Sequence, residues 1–480
     1  MAIVSVGNAW PQLAPDKLDG DRPEVAMPDP ELTANTFEAG SKSAGPSDRE
    51  TIRHPAIRSG LEVTSSGGGI KVASGSAEME GGMVEAKGKT LAMNPPDPLN
   101  VRGQAIKLFK APFDEWKSRT LLAGQPLGMR KVMPGSLIAK SVEITTSDGR
   151  KLVRGQDFVI DPAWNAVALA ADSGLTEGPG YTVDYQLGPR RVDSVNLSED
   201  GEITLQVGES ELASPPLPEP EGGKETTLAR IYWPGGDVQT VEPANIFPVG
   251  SFLPDAGTKI PTERFNKFRA KVESGEPITI VCWGDSVTVG GDADPMEEMR
   301  YSAVFERALQ ERYPNARVET IAKGASTSAM WFNPNHDLSK RWKDIEAAKP
   351  DLVTLEFVND SYLTKWPQFK NQYDRILQKV NAMGAELLLI TPHFTMMEKM
   401  GHQDLRGAES RPYVTHLRRF ADENNVALAD ASKRWEQLWR QGIPYEIYLK
   451  NGINHPDNRG HKIFADALME WFPEHGESQD

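Results

Sequence analysis

From Ile278 onward the chain alternates short apolar runs with helical segments, and this alternation most restricts what it can fold into. Ile278-Thr-Ile-Val-Cys-Trp283, Arg317-Val-Glu-Thr-Ile-Ala322, Leu352-Val-Thr-Leu-Glu-Phe-Val358, Glu386-Leu-Leu-Leu-Ile-Thr391 and Val426-Ala-Leu-Ala429 read as strands. Between them, segments near 302–313, 368–383, 412–424 and 462–471 carry apolar side chains at helical spacing. Five strands with intervening helices predict a parallel sheet covered on both faces, a three-layer α/β/α domain over 276–480. In such a sheet functional groups collect at the carboxyl edge, where strands give way to loops.

The 480 residues exceed one ordinary core, so more than one domain is expected. Residues 1–94 form a Gly/Ser/Pro-rich, poorly periodic region; Gly69-Ile-Lys-Val-Ala73 and Met83-Val-Glu-Ala86 allow strands within it. Over 95–250 the pattern is β-like: Ser141-Val-Glu-Ile-Thr-Thr146, Asp157-Phe-Val-Ile160, Tyr181-Thr-Val-Asp-Tyr185 and Glu202-Ile-Thr-Leu-Gln-Val207 alternate apolar with polar residues between turn formers. A β-sandwich-like accessory module is the natural reading. A linker over 251–275 carries Phe265, Phe268 and Val272 at the spacing of an amphipathic helix.

Composition narrows the function. No apolar run reaches the roughly 18–20 residues of a membrane helix, so no span is expected. A net charge of -15 sets phosphate-bearing partners at a disadvantage, and no nucleic-acid role is expected. The single cysteine, Cys282, lies in an apolar run and reads as a small buried side chain. Met1-Ala-Ile-Val-Ser5 lacks the basic and apolar regions of a secretory signal; the expected compartment is an exported one if a leader was removed, and the cytoplasm otherwise.

The unusual residues fall at the strand ends. The first strand closes in Trp283-Gly284-Asp285-Ser286, a tight turn that exposes a hydroxyl able to attack a carbonyl once a base takes its proton. The second ends in Gly324 and the third in Asn359-Asp360; a backbone N–H and a side-chain amide are donor types that can hold an oxyanion, together with the N–H of Ser286. Near the end, His455 precedes Pro456, which keeps the histidine backbone extended in a loop ahead of a helix. Taken singly, each has a bland alternative: an Asx-capped turn, a glycine turn, an Asn capping its own loop, a surface histidine.

In this order and at these strand ends, Gly284-Asp285-Ser286, Gly324, Asn359-Asp360 and His455-Pro456 resemble the SGNH, or GDSL-type, hydrolases, over roughly Ile278–Phe472. The resemblance implies Ser286 as nucleophile, His455 as general base and then acid, Ser286 N–H, Gly324 N–H and Asn359 as the oxyanion hole, and no metal or organic cofactor. Family members usually carry an Asp three residues before the histidine, where this chain has Gly452. Asn451, Asp457 or a backbone carbonyl then remain to orient the imidazole, or a Ser-His dyad works alone.

His393 follows the fourth strand and either lines the substrate pocket or fills a loop; His461, one turn past the motif, reads as structural. No His-Glu-x-x-His or Cys/His cluster points to a metal. The β-rich module in front of the hydrolase, together with Trp331, Tyr362, Trp366, Trp439 and Tyr445 in or near the loops of the hydrolase domain itself, favours an acetylated polysaccharide or oligosaccharide as substrate. A lipase, thioesterase or short-chain esterase, and a non-catalytic binding protein with a vestigial fold, are the alternatives.

Overall fold

The computed structural model describes residues 54, 56–111, 120–122, 134–220, 224–250, 262–396, 409 and 411–472. Residues 1–53 of the expected N-terminal region and 251–261 of the expected linker lie outside them.

The C-terminal sheet has strands β1 (Pro277–Gly284), β2 (Arg317–Gly324), β3 (Leu352–Glu356), β4 (Glu386–Ile390) and β5 (Ala427–Ala429) in the order β2-β1-β3-β4-β5. All pairs are parallel. Because side chains alternate across a strand, β1 feeds two cores. Ile278, Ile280 and Cys282 pack with Tyr301, Phe305 and Leu309 of the helix Tyr301–Arg312 and with Phe464 and Leu468 of the helix Asn458–Met469. Val281 and Trp283 face Trp331, Trp342, and the helices Trp366–Ala382 and Pro412–Glu423. The three-layer α/β/α domain follows directly from that two-sided burial. Burial pushes the Cys282 thiol up to about 12, as befits a packing residue.

Ahead of the sheet, Phe265, Phe268 and Val272 are buried as the helical spacing predicts. The α-helix is Asn266–Ser274, preceded by a 3-10 turn at Thr262–Phe265, and Gly275 closes it at φ 72°.

The preceding region is β-rich, and its strand pairings are antiparallel. Strands between Ile57 and Ala92, including Gly69–Val72 and Gly82–Ala86, pack Ile70, Val72 and Val84 against Val195, Leu197 and Ile231 of a four-stranded sheet over residues 191–248. A second core, with Leu108, Ile144, Phe158 and Val183, lies between two three-stranded sheets within residues 99–187. Among the described residues no helix is long and apolar enough to cross a membrane.

Candidate active site

The turn after β1 is built around buried groups. A Cβ on Gly284 would stand 2.0 Å from both the Glu356 carbonyl oxygen and Thr288 Oγ1, so only glycine fits between β1 and β3. Asp285 is fully buried; its Oδ1 accepts from Val287 N at 3.0 Å and its Oδ2 from Asn359 N at 2.9 Å. That carboxyl fastens the Ser286 turn to the loop after β3. Loss of water raises it to about 6, against the pull of its backbone donors.

Ser286 Oγ lies 2.8 Å from His455 Nε2. On the other side of the ring, His455 Nδ1 lies 2.7 Å from Asp292 Oδ2, and both side chains are nearly buried. A carboxylate at Nδ1 holds the proton there, leaving the Nε2 lone pair to accept from the serine hydroxyl. Such a chain can move a proton from the hydroxyl to the imidazole and stabilise the imidazolium that results.

Asp292 reaches this place because the chain after Ser286 folds back. Gly291 N donates to the Ser286 carbonyl at 2.8 Å, and Asp292 takes φ 63°, a left-handed conformation that Asp tolerates better than most residues. A Cβ on Gly291 would come within 2.8 Å of His455 Cε1 and 2.9 Å of Nδ1, so the glycine leaves room for the ring. Asn458 then clamps the loop: its Oδ1 accepts from Asp294 N at 2.9 Å, and its Nδ2 donates to Asp294 O at 2.7 Å.

Neither residue expected to orient the imidazole does so. Asn451 Oδ1 accepts from the backbone N–H groups of Ile453, Asn454 and His455 at 2.8 to 2.9 Å, so it shapes the loop and leaves the ring alone. Asp457 caps the helix Asn458–Met469 through Arg459 N and Gly460 N and pairs with Arg459, while Nδ1 has Asp292 as its partner. Asp292, 163 residues from His455, takes the place sought beside the histidine in sequence.

Of the expected oxyanion donors, Gly324 is also corrected. Gly324 pairs with Gly284, and Ala325 N donates to the Gly284 carbonyl at 3.1 Å. Successive N–H groups of a strand point to opposite sides, so the Gly324 N–H faces away from β1. The glycine has a steric role instead, since its Cβ would lie 2.0 Å from Asp285 O. Asn359 does stand beside the serine turn: its N–H holds Asp285, and its Nδ2 donates to Ser326 O at 3.2 Å while keeping a second N–H.

His393 does not line a pocket. It is fully buried, its Nε2 lies 2.8 Å from Asn454 O, and burial together with Arg411 holds it well below the usual imidazole range. His461 is buried as well, lowered to about 4, with Nε2 3.4 Å from Gly291 O beneath the Asp292 loop. Asp360, next to Asn359, is buried and accepts from Ser328 N and the Ser328 hydroxyl, and desolvation pushes it up to about 7. Of the loop aromatics, Trp331 and Tyr445 are core residues, whereas Tyr362 is 53% exposed. Among the described residues, no group of three His, Cys, Asp or Glu is placed to hold a metal ion.

No curated protein matches the chain. Solved structures similar to it include an α/β hydrolase from the metagenome of Lake Arreo, Spain (21% identity over 40% of this chain and 94% of that one, TM-score 0.32). A two-domain esterase active on acetylated mannans is 19% identical over 45% of this chain and 57% of its own (TM-score 0.35). An acetyl-xylooligosaccharide esterase from Geobacillus stearothermophilus is 22% identical over 42% and 97% (TM-score 0.33). The model of the GDSL-like lipase/acylhydrolase family matches residues 282–463, the stretch from β1 through the His455 loop, and this part of the chain is therefore a GDSL-like acylhydrolase domain.

Proposed function

We propose that the chain is a serine esterase that removes acetyl groups from a polysaccharide or oligosaccharide. The reading rests chiefly on Ser286 Oγ lying 2.8 Å from His455 Nε2 while Asp292 holds Nδ1. Ser286 Oγ attacks the ester carbonyl carbon as His455 Nε2 takes its proton, and Asp292 stabilises the imidazolium. The oxyanion of the tetrahedral intermediate is held by the Ser286 N–H and the remaining N–H of the Asn359 amide. His455 returns the proton to the departing sugar oxygen, leaving an acetyl-enzyme. Water then attacks that ester, giving its proton to His455, and acetate leaves as Ser286 regains its hydrogen.

Substrate class is supported by what surrounds the serine. Among the described residues, the exposed large hydrophobics are Met83, Leu99, Val153, Val207 and Tyr362, so among those of the acylhydrolase domain Tyr362 stands alone and no broad apolar face for an acyl tail is formed. Tyr362 and Asn359 both belong to the 3-10 turn Val358–Tyr362, and residues three apart in such a turn share a face. An exposed ring on the same face as the oxyanion amide suits a sugar ring better than a long chain. Release of acetate from acetylated xylan or mannan, compared with turnover of 4-nitrophenyl esters of increasing length, tests this. Preference for acyl chains of about eight carbons or more would contradict it.

A further inference from the structure

We infer that the β-rich region braces the histidine loop of the candidate site, with Arg190 and Tyr232 as positioning residues for His455; this rests on the proposed esterase reading. Arg190 is buried where the two parts meet, and its Nη2 donates to Pro134 O at 3.0 Å. Its Nη1 donates to the Tyr232 hydroxyl and to Glu446 Oε2 at 3.3 Å, and Tyr232 in turn donates to the same Glu446 oxygen at 3.1 Å. A guanidinium taken out of water in this way demands its partners, so Glu446 is tied to one place.

Glu446 lies in the 3-10 turn Tyr445–Tyr448, and the connection to His455 is short. Asp457 N donates to Tyr448 O at 2.7 Å, Leu449 pairs with Pro456, and Lys450 N donates to His455 O at 2.8 Å. Residues 448–450 and 455–457 thus form one small antiparallel ladder that carries the imidazole. Both of its sides are held. Arg459 donates to Pro215 O of the β-rich region at 3.2 Å and to Ile447 O at 2.7 Å, while Val192, Tyr232 and Phe247 share a buried cluster with Tyr445, Ile447 and Leu449. Nothing in the mechanism requires this region near the serine, yet its buried charge ends on the histidine's own support.

The test uses the full chain with Tyr232→Phe, which removes one hydroxyl, and Glu446→Gln, which keeps the shape and removes the charge. Deuterium exchange of amides 448–457 should quicken in both while β1 to β4 stay protected. The kcat for 4-nitrophenyl acetate should fall about 10-fold to 100-fold with KM nearly unchanged, the signature of a displaced base. The acid limb of the kcat against pH profile should move with it. Unchanged exchange at 448–457, or quickened exchange with kcat and the acid limb at wild-type values, overturns the brace. A wild type without turnover overturns the esterase reading alone, since the exchange measurement reads the brace by itself.

Discussion

Asp292 Oδ2 stands 2.7 Å from His455 Nδ1, so the carboxylate beside the imidazole comes from the loop that follows Ser286 and not from the residues before the histidine. Asp292→Asn leaves the shape and removes the charge that keeps the proton on Nδ1. The kcat for an aryl acetate should fall by about 10²-fold to 10⁴-fold with KM and melting temperature little changed. Asp457→Asn should instead lower thermal stability, with kcat within about 3-fold of wild type, because its partners are the helix N–H groups. Steady-state kinetics on both variants checks the pair; an Asp292→Asn enzyme at near wild-type rate would rule out the assignment.

Gly291 has a second consequence. A methyl group there would press on His455 Cε1 and Nδ1 from under 3 Å. Gly291→Ala should lower kcat about 10-fold or more through a shifted imidazole while the protein stays folded. Gly290→Ala, whose φ of 98° and contact with Met296 oppose a side chain, should instead cost stability. Circular-dichroism melts alongside kinetics separate the two.

The buried groups predict opposite pH dependences. Asp360 is raised from 3.8 to about 7 chiefly by loss of water, so its contribution to stability is full below 3.8 and is lost as pH rises through about 7. Asp360→Asn, which stays neutral, should gain on wild type by on the order of 2 kcal/mol between pH 5 and pH 8. His461, lowered from 6.5 to about 4, works the other way: its contribution is present above 6.5 and is lost as pH falls through about 4. Urea unfolding at three pH values reads both slopes; a flat Asp360→Asn difference would show that its carboxyl is ionised at no cost.

Substitution of Tyr362 tests the proposed sugar binding apart from the chemistry. If its ring carries the acceptor sugar, Tyr362→Ala should raise KM for an acetylated xylooligosaccharide by about 3-fold to 10-fold, the worth of one aromatic contact. Tyr362→Trp should restore it. An equal effect on 4-nitrophenyl acetate would speak against a sugar platform.

The architecture was legible because burial imposes period: β1 alternates Ile278, Ile280 and Cys282 with Val281 and Trp283, and the helix Pro412–Glu423 repeats Tyr413, Leu417 and Phe420. Ser286 carries a local mark in the sequence, a tight turn at a strand end, and His455 another, the Pro456 that keeps it in a loop ahead of a helix. Asp292 carries no such mark. Its contact with His455 spans 163 residues and depends on a fold-back that Gly290-Gly291-Asp292 only hints at. Gly324 was misread for a related reason: a sequence shows a glycine at a strand end, but which way its N–H faces is set by register with Gly284. His393 shares its strand end with loop residues, and only packing against Trp435 and Phe464 reveals it as core.

The most direct test of the account is the turnover of 4-nitrophenyl acetate by Ser286→Ala. With no hydroxyl to form the acetyl-enzyme, the rate should fall by about 10³-fold or more while the fold is retained. Turnover unchanged from wild type would contradict Ser286 as the nucleophile.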